Sequence, residues 1–162
     1  MGLKKLKTEK GFTLTEMLIA VAILSLLSAL LVTGTRLAVK SYAEVTDESN
    51  AQVLLSTCAT MLRNELSNAR DVELSEDGVL SYKKGESSTI TTLKMSGGQI
   101  TVSELGVETP LVSDVTATNE LCPCFESIEY ADSQFRIHEL AVKKKGESRV
   151  LSSIDLLVIN HK

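Results

Sequence analysis

Tryptophan is absent from this chain, and aromatic residues as a class make up only 4% of it. Platforms that stack bases or sugars need aromatic faces, so that mode of recognition has little to work with. Two prolines and no low-complexity tract argue against a disordered linker protein. Three cysteines are too few for a disulfide scaffold. Basic residues are the minority, 17 against 21 acidic ones, for a net charge of −4. Phosphate affinity needs clustered cations, so nucleic acid is not an expected partner. Two histidines leave little material for catalysis, and no Gly-rich phosphate loop, Ser elbow or paired-acid arrangement occurs. The expectation is a protein that is not an enzyme and takes no cofactor and no metal. At 162 residues it is one domain, or a small domain with an appendage.

What the chain does have is a strong asymmetry. Residues 1–10 carry Lys4, Lys5, Lys7 and Lys10 against Glu9 alone. An apolar run follows, in which Glu16 is the only charge between Lys10 and Arg36. A helix crosses the hydrocarbon core in about 20 residues, so this run is long enough to span. The basic flank predicts a cytoplasmic N-terminus in the inner membrane, with everything after Arg36 on the far side. A secretory signal peptide is one plain reading, but its apolar stretch is about 7–15 residues and this one is longer. A single-span anchor is another, with Glu16 snorkelling to the interface. An acid at the bilayer centre costs about 2.5–3.5 kcal/mol on insertion scales, and less near the edge.

The segment Lys10-Gly11-Phe12-Thr13-Leu14-Thr15-Glu16 resembles the type III signal of type IV pilins and pseudopilins. The resemblance covers the leader and first helix, about residues 1–35. It implies cleavage between Gly11 and Phe12 by a prepilin peptidase on the cytoplasmic face, and N-methylation of the new Phe12 amine. It further implies that Glu16 meets the Phe12 amine of a neighbouring subunit, so that pilin or pseudopilin subunits pack through this helix on a membrane assembly platform. Two departures stand out. Thr15 is polar where an aliphatic residue is commoner, and the apolar run lacks the Pro that major pilins often carry. The expected product is therefore a minor pilin or pseudopilin that primes or caps assembly of a pilus, secretion pseudopilus or DNA-uptake pseudopilus. Its outline resembles the J-type minor pseudopilins.

Elementary electrostatics runs alongside the resemblance. Cleavage after Gly11 removes four Lys and one Glu and takes the formal side-chain charge from −4 to about −7. The mature helix then opens with a cation and carries one carboxylate, and both are costly in a lipid-like medium unless paired. Such a pair fixes the axial register of packed helices, as polar core groups do in coiled coils. The competing expectation is an anchored extracytoplasmic binding domain that never polymerises.

Beyond Arg36 the helical pattern continues to about Arg70. From Ala51 onward apolar or small residues recur in steps of three and four: Leu54, Leu55, Cys58, Leu62, Leu66 and Ala69. Gly34 is the one helix-weakening residue, and a break there into two helices is the alternative. After about Asp71 the period changes. Val79–Tyr82, Thr89–Met95, Gln99–Leu105, Leu111–Thr118, Gln134–Lys143 and Arg149–Ile159 read as strands. Residues 144–148 read as a hairpin loop between the last two. Leu156, Leu157, Val158 and Ile159 are apolar on both faces, which predicts an interior strand. The fold class is α+β and pilin-like: a long N-terminal helix packed on a C-terminal antiparallel sheet. Its expected domains are a cleaved leader at 1–11, a transmembrane or filament-core helix at 12–35, and an extracytoplasmic head at 36–162.

Other candidates carry less. Cys122 and Cys124 flank Pro123 in an expected loop, and Cys58 lies on the buried helix face. Three free thiols, or a bridge from Cys58 to Cys122 or Cys124, are both open; a Cys122–Cys124 ring would be small and strained. His138 and His161 read as surface or satisfied core residues. Asp71, Glu73, Glu76 and Asp77 lack the ordered spacing of a calcium loop. Lys143, Lys144 and Lys145 read as a charged hairpin tip that discourages edge pairing.

Overall fold

The computed structural model describes residues 11–112 and 121–161. The lysines of the leader and the 113–118 part of the expected strand Leu111–Thr118 lie outside the described residues. The chain divides into two compact units between Glu44 and Val45.

One helix, α1, runs Leu14–Ser67 without a break at Gly34. Within the first unit, the hydroxyls of Ser25, Ser28, Thr33 and Thr35 donate to carbonyls four residues back, at 2.7–3.0 Å. The helix therefore carries these four polar side chains without unpaired donors, which suits an apolar surrounding. At the other end, the last carbonyls find partners in the second unit. The amide of His161 donates to Ser67 O at 2.8 Å, and the amide of Gly85 donates to Asn68 O at 3.2 Å. Those bonds satisfy acceptors that a helix C-terminus otherwise leaves orphaned.

In the second unit α1 buries Ala51, Leu54, Leu55, Cys58, Leu62 and Leu66 against two antiparallel sheets. The first sheet is a meander of β1 (Ala69–Leu74), β2 (Leu80–Lys84), β3 (Ile90–Ser96), β4 (Gln99–Glu104) and β5 (Val107–Pro110), paired in chain order. The β3–β4 connection is Gly97-Gly98, both at positive φ, a backbone that side-chain-bearing residues adopt at a cost. The second sheet holds β6 (Leu121–Cys124), β7 (Ser127–Ala131), β8 (Gln134–Lys144) and β9 (Val150–Ile159). Long β8 is its centre. It pairs with β6 and β7 along one side and with β9 along the other. The inner faces meet the helix through Leu80, Tyr82, Leu93 and Ile100 from the first sheet, and Ile128, Phe135, Ile137, Leu140, Val142, Leu156 and Val158 from the second. One long helix packed on antiparallel sheets is the expected α+β, pilin-like arrangement.

Several expectations change at the strand level. The helical pattern was expected to reach about Arg70, but Ala69–Leu74 is strand β1, with a bulge between Arg70 and Glu73 and Asp71 at φ 51°. Cys122-Pro123-Cys124 is not a loop but the edge strand β6, where a missing amide on the free side costs no ladder bond. Strand β5 sits at Val107–Pro110, ahead of the expected Leu111 start. The strand β9 is not interior: it pairs with β8 alone, buries Leu156 and Val158, and turns Leu157 and Ile159 to solvent.

Two salt bridges tie α1 to the sheets. Lys144 Nζ lies 3.0 Å from Asp47 Oδ2, and Lys84 Nζ lies 2.6 Å from Glu65 Oε1. The larger contribution is apolar. Leu62 is fully buried at the centre of the helix face. Its truncation, Leu62→Ala, is expected to cost about 2–5 kcal/mol, measured as a lowered urea midpoint with unchanged slope.

Candidate functional site

The N-terminal end of α1 is built by Thr13, Thr15 and Glu16. Thr13 is the N-cap. Its Oγ1 accepts from the Glu16 amide at 3.3 Å, and Glu16 Oε2 accepts from the Thr13 amide at 2.9 Å and from Thr13 Oγ1 at 2.9 Å. This reciprocal arrangement is a capping box, Thr-x-x-Glu, and it satisfies two of the amides a helix start leaves free. Thr15 Oγ1 adds a 3.0 Å contact to Thr13 Oγ1. The sequence holds this signal, Thr and Glu three residues apart at the start of an apolar run, in a place where Glu16 draws attention only as a charge.

The cap decides what Glu16 can do. In the lone chain the carboxylate is not idle, because it serves the helix's own first turn. Yet the residue is exposed at an end with no cation among the described residues ahead of Arg36. A carboxylate holding two neutral donors keeps lone pairs for a charged one. The box therefore orients the carboxylate at the helix start and leaves it able to accept an amine.

Gly11 and Phe12 precede the helix and are exposed. A Cβ built at Gly11 meets nothing within 4 Å. No contact inside the chain asks for glycine there, so any requirement for it lies with whatever handles the peptide bond. Beyond them, Met17, Leu18, Val21, Leu24, Leu27 and Leu31 are all exposed. This stretch contains an 18-residue window with a mean hydropathy of 2.5 and none of it buried, long and apolar enough to cross a membrane. So large an apolar surface on one helix is the mark of a membrane or protein contact.

Residues 6–32 match the family model described as the prokaryotic N-terminal methylation motif. The motif marks a prepilin peptidase substrate and is consistent with a type IV pilin-like protein anchored by a single apolar helix. The matched residues begin among the lysines ahead of Gly11, take in Gly11, Phe12, Thr13 and Glu16, and end within the apolar run. No curated protein matches the chain, and no solved structure does.

The other sequence-singled residues gather into no second site. His138 Nε2 lies 3.6 Å from Glu129 Oε2 on the outer sheet face. His161 contributes its backbone amide to the end of α1. Asp71 pairs with Lys83 at 2.8 Å, while Glu73 lies within β1 and Glu76 and Asp77 form the β1–β2 turn. Among the described residues no group of three or more His, Cys, Asp or Glu is placed to hold a metal ion. Lys144 is engaged with Asp47, which leaves Lys143 and Lys145 to charge the β8–β9 tip.

Cys58, Cys122 and Cys124 are all free thiols. Pairing puts Pro123 beside Val142 and Cys124 beside Ala141. Val142 and Leu121 share the core with Cys58, and Cys124 is buried as well while Cys122 is half-buried. Burial pushes the Cys58 thiol up to about 12, with a smaller electrostatic push from Cys124. Burial likewise raises Cys124. Such thiols stay protonated and unreactive near neutrality. A raised acid pKa in the folded state means the folded chain holds a proton that the unfolded chain loses. Stability from this group is complete below pH about 9 and falls between about 9 and 12. Thermal unfolding is therefore expected to lose midpoint more steeply with pH in this window for the wild type than for Cys58→Ala.

Proposed function

We propose that the chain is a minor pilin or pseudopilin subunit. A prepilin peptidase cuts between Gly11 and Phe12, the Phe12 amine is methylated, and the helix over 12–35 waits in the cytoplasmic membrane until it is drawn into a filament. Residues 1–11 are the leader, and residues 36–162 form the extracytoplasmic head. The observation that supports this reading most is the methylation motif at 6–32 laid over an unpartnered apolar helix whose only charge, Glu16, sits one turn past the cut.

The chemistry of assembly follows from solvent exchange. In lipid the helix loses nothing by leaving, because acyl chains and leucines are equally apolar. Close packing of neighbouring helices and one charge pair then decide the balance. The pair joins Glu16 of one subunit to the methylated Phe12 amine of the next. The capping box keeps the carboxylate at the helix start while it waits. Partners on this reading are the peptidase, other pilin-type subunits, and the membrane platform that delivers them.

Coexpression with a prepilin peptidase tests the reading. The expected result is a shift of the membrane-bound protein to the mass of residues 12–162, with the full-length form persisting when the peptidase is absent. A protein that keeps its full mass in both strains would be an anchored domain and not a filament subunit.

A further inference from the structure

The two sheets expose several edges, and all but one are guarded. Strand β1 is bulged and carries Arg70, Asp71 and Glu73. Strand β5 has four residues and ends in Pro110. The edge shared by β6 and β7 is split into runs of four and five residues, with Pro123 in one and Glu129 in the other. Short length, proline, charge and bulges are the devices by which proteins blunt sheet edges against further pairing. Strand β9 is the least guarded, with one charge, Asp155, and one bulge close to its Val150 end. It runs ten residues, Val150–Ile159, with no Pro, Gly, Lys or Arg. Its pairing with β8 is irregular near Val150 and again around Glu139, the second irregularity lying on the β8 side. From Ser152 to Ile159 β9 itself is therefore uninterrupted.

Its single charge is already in use. Asp155 Oδ1 accepts from the amide of Glu139 at 2.9 Å, which stabilises the β8 bulge where Glu139 stands at φ 48°. Among the described residues the outer edge of β9 makes no backbone hydrogen bond. Ile154, Leu157 and Ile159 are 48%, 49% and 55% exposed along it. An open ladder of amides and carbonyls is complementary to one thing, another extended backbone. The charge around it narrows the choice. Lys143 and Lys145 on the tip and Arg149 ahead of β9, against Glu147 alone, leave the Val150 end net cationic, while the Ile159 end is apolar.

We infer that the free edge of β9 docks an extended strand of a second, different polypeptide, antiparallel to β9, apolar opposite residues 154–159 and acidic where it meets Lys145 and Arg149. Antiparallel order places the acids at the C-terminal end of the incoming strand. Backbone bonds supply the attachment, and the alternating side chains and the acidic end supply the choice of partner.

The test uses the full-length chain in detergent micelles and the peptide Val-Thr-Val-Thr-Val-Thr-Glu-Glu. Amide hydrogen exchange over residues 152–159 is expected to slow at least about tenfold on adding the peptide, with the other strands unchanged. The same peptide N-methylated at alternate residues on its pairing edge has lost those donors and should give no slowing. Leu157→Lys and Ile159→Lys place charge at positions already exposed, so the fold survives, and each should abolish the effect. No slowing with the unmodified peptide, equal slowing with the N-methylated one, or indifference to both lysine variants would overturn the inference. Slowing that rises with protein concentration in the absence of peptide would overturn it too, because the edge would then pair with its own copy.

Discussion

Glu16→Gln is expected to leave cleavage and membrane insertion intact and to reduce incorporation into filaments by about two orders of magnitude. The reasoning turns on which of two duties Glu16 performs. Its carboxylate caps the helix by accepting from Thr13, and a Gln side chain accepts equally well in a capping box. The substitution therefore keeps the helix start and removes only the charge. A neighbour's Phe12 amine would then enter the apolar bundle unpaired. An isolated charge in such a medium costs about 2.5–3.5 kcal/mol on insertion scales, and 1.36 kcal/mol is a factor of ten. The same substitution makes residence in lipid more favourable, so both sides of the equilibrium move against assembly. Glu16→Ala loses cap and charge together, and its deficit should exceed that of Gln by the value of a cap, about 0.5–2 kcal/mol. If Gln instead assembles like the wild type while Ala does not, capping is the duty that matters and the pairing account is wrong. Sheared-filament fractions probed for the head give the readout, with total membrane-bound protein as the reference.

Gly11→Val should produce the second large effect, accumulation of uncut precursor with more than tenfold loss of the mature form. Gly11→Ala should slow processing less. Nothing in the fold accounts for such a loss, because a side chain at Gly11 meets open space and the residue lies outside α1. Thermal unfolding of the head should be unchanged in both variants. A retained leader acts in two ways. Its lysines hold the chain at the cytoplasmic interface, where each basic residue near an anionic surface adds about 1 kcal/mol of attachment. It also moves the terminal amine eleven residues away from Phe12, so Glu16 of the neighbour has no cation to meet. The variant should therefore be membrane-bound, folded and absent from filaments. Normal maturation of Gly11→Val, read on an electrophoretic shift, would place the cut elsewhere.

These expectations rest on parts of the chain that differ in how openly the sequence declares them. Periodic features were legible. The steps of three and four from Ala51 to Leu66 predicted the buried face of α1, and those residues are buried. Lys144 to Ser148 predicted the β8–β9 hairpin, which the pairing of those strands forms. Gly34 offered a break that the helix ignores, because about 1 kcal/mol of intrinsic penalty is small beside a continuous ladder of backbone bonds. Strand β1 was missed because Arg70, Asp71 and Glu73 make it read as a polar stretch, and only pairing to Lys84, Lys83 and Ser81 reveals it. Strand β6 was missed because proline was weighed as a breaker, a rule that fails at an edge. The run Leu156 to Ile159 misled in the opposite sense. Apolar residues on both faces usually mean an interior strand, but here one face covers the core and the other is left open. In the candidate site the chemical residues were plain from the motif, while Thr13 emerged only from the hydrogen bonds that join it to Glu16. A capping box and a charge pair draw on the same carboxylate, and spacing alone does not say that one residue serves both.

The most direct measurement is mass spectrometry of the N-terminal peptide recovered from filament fractions. The account predicts that it begins at Phe12, carries one added methyl group, and that no peptide from residues 1–11 accompanies it. An N-terminal peptide that starts at Met1 or Gly2 in assembled material would contradict it.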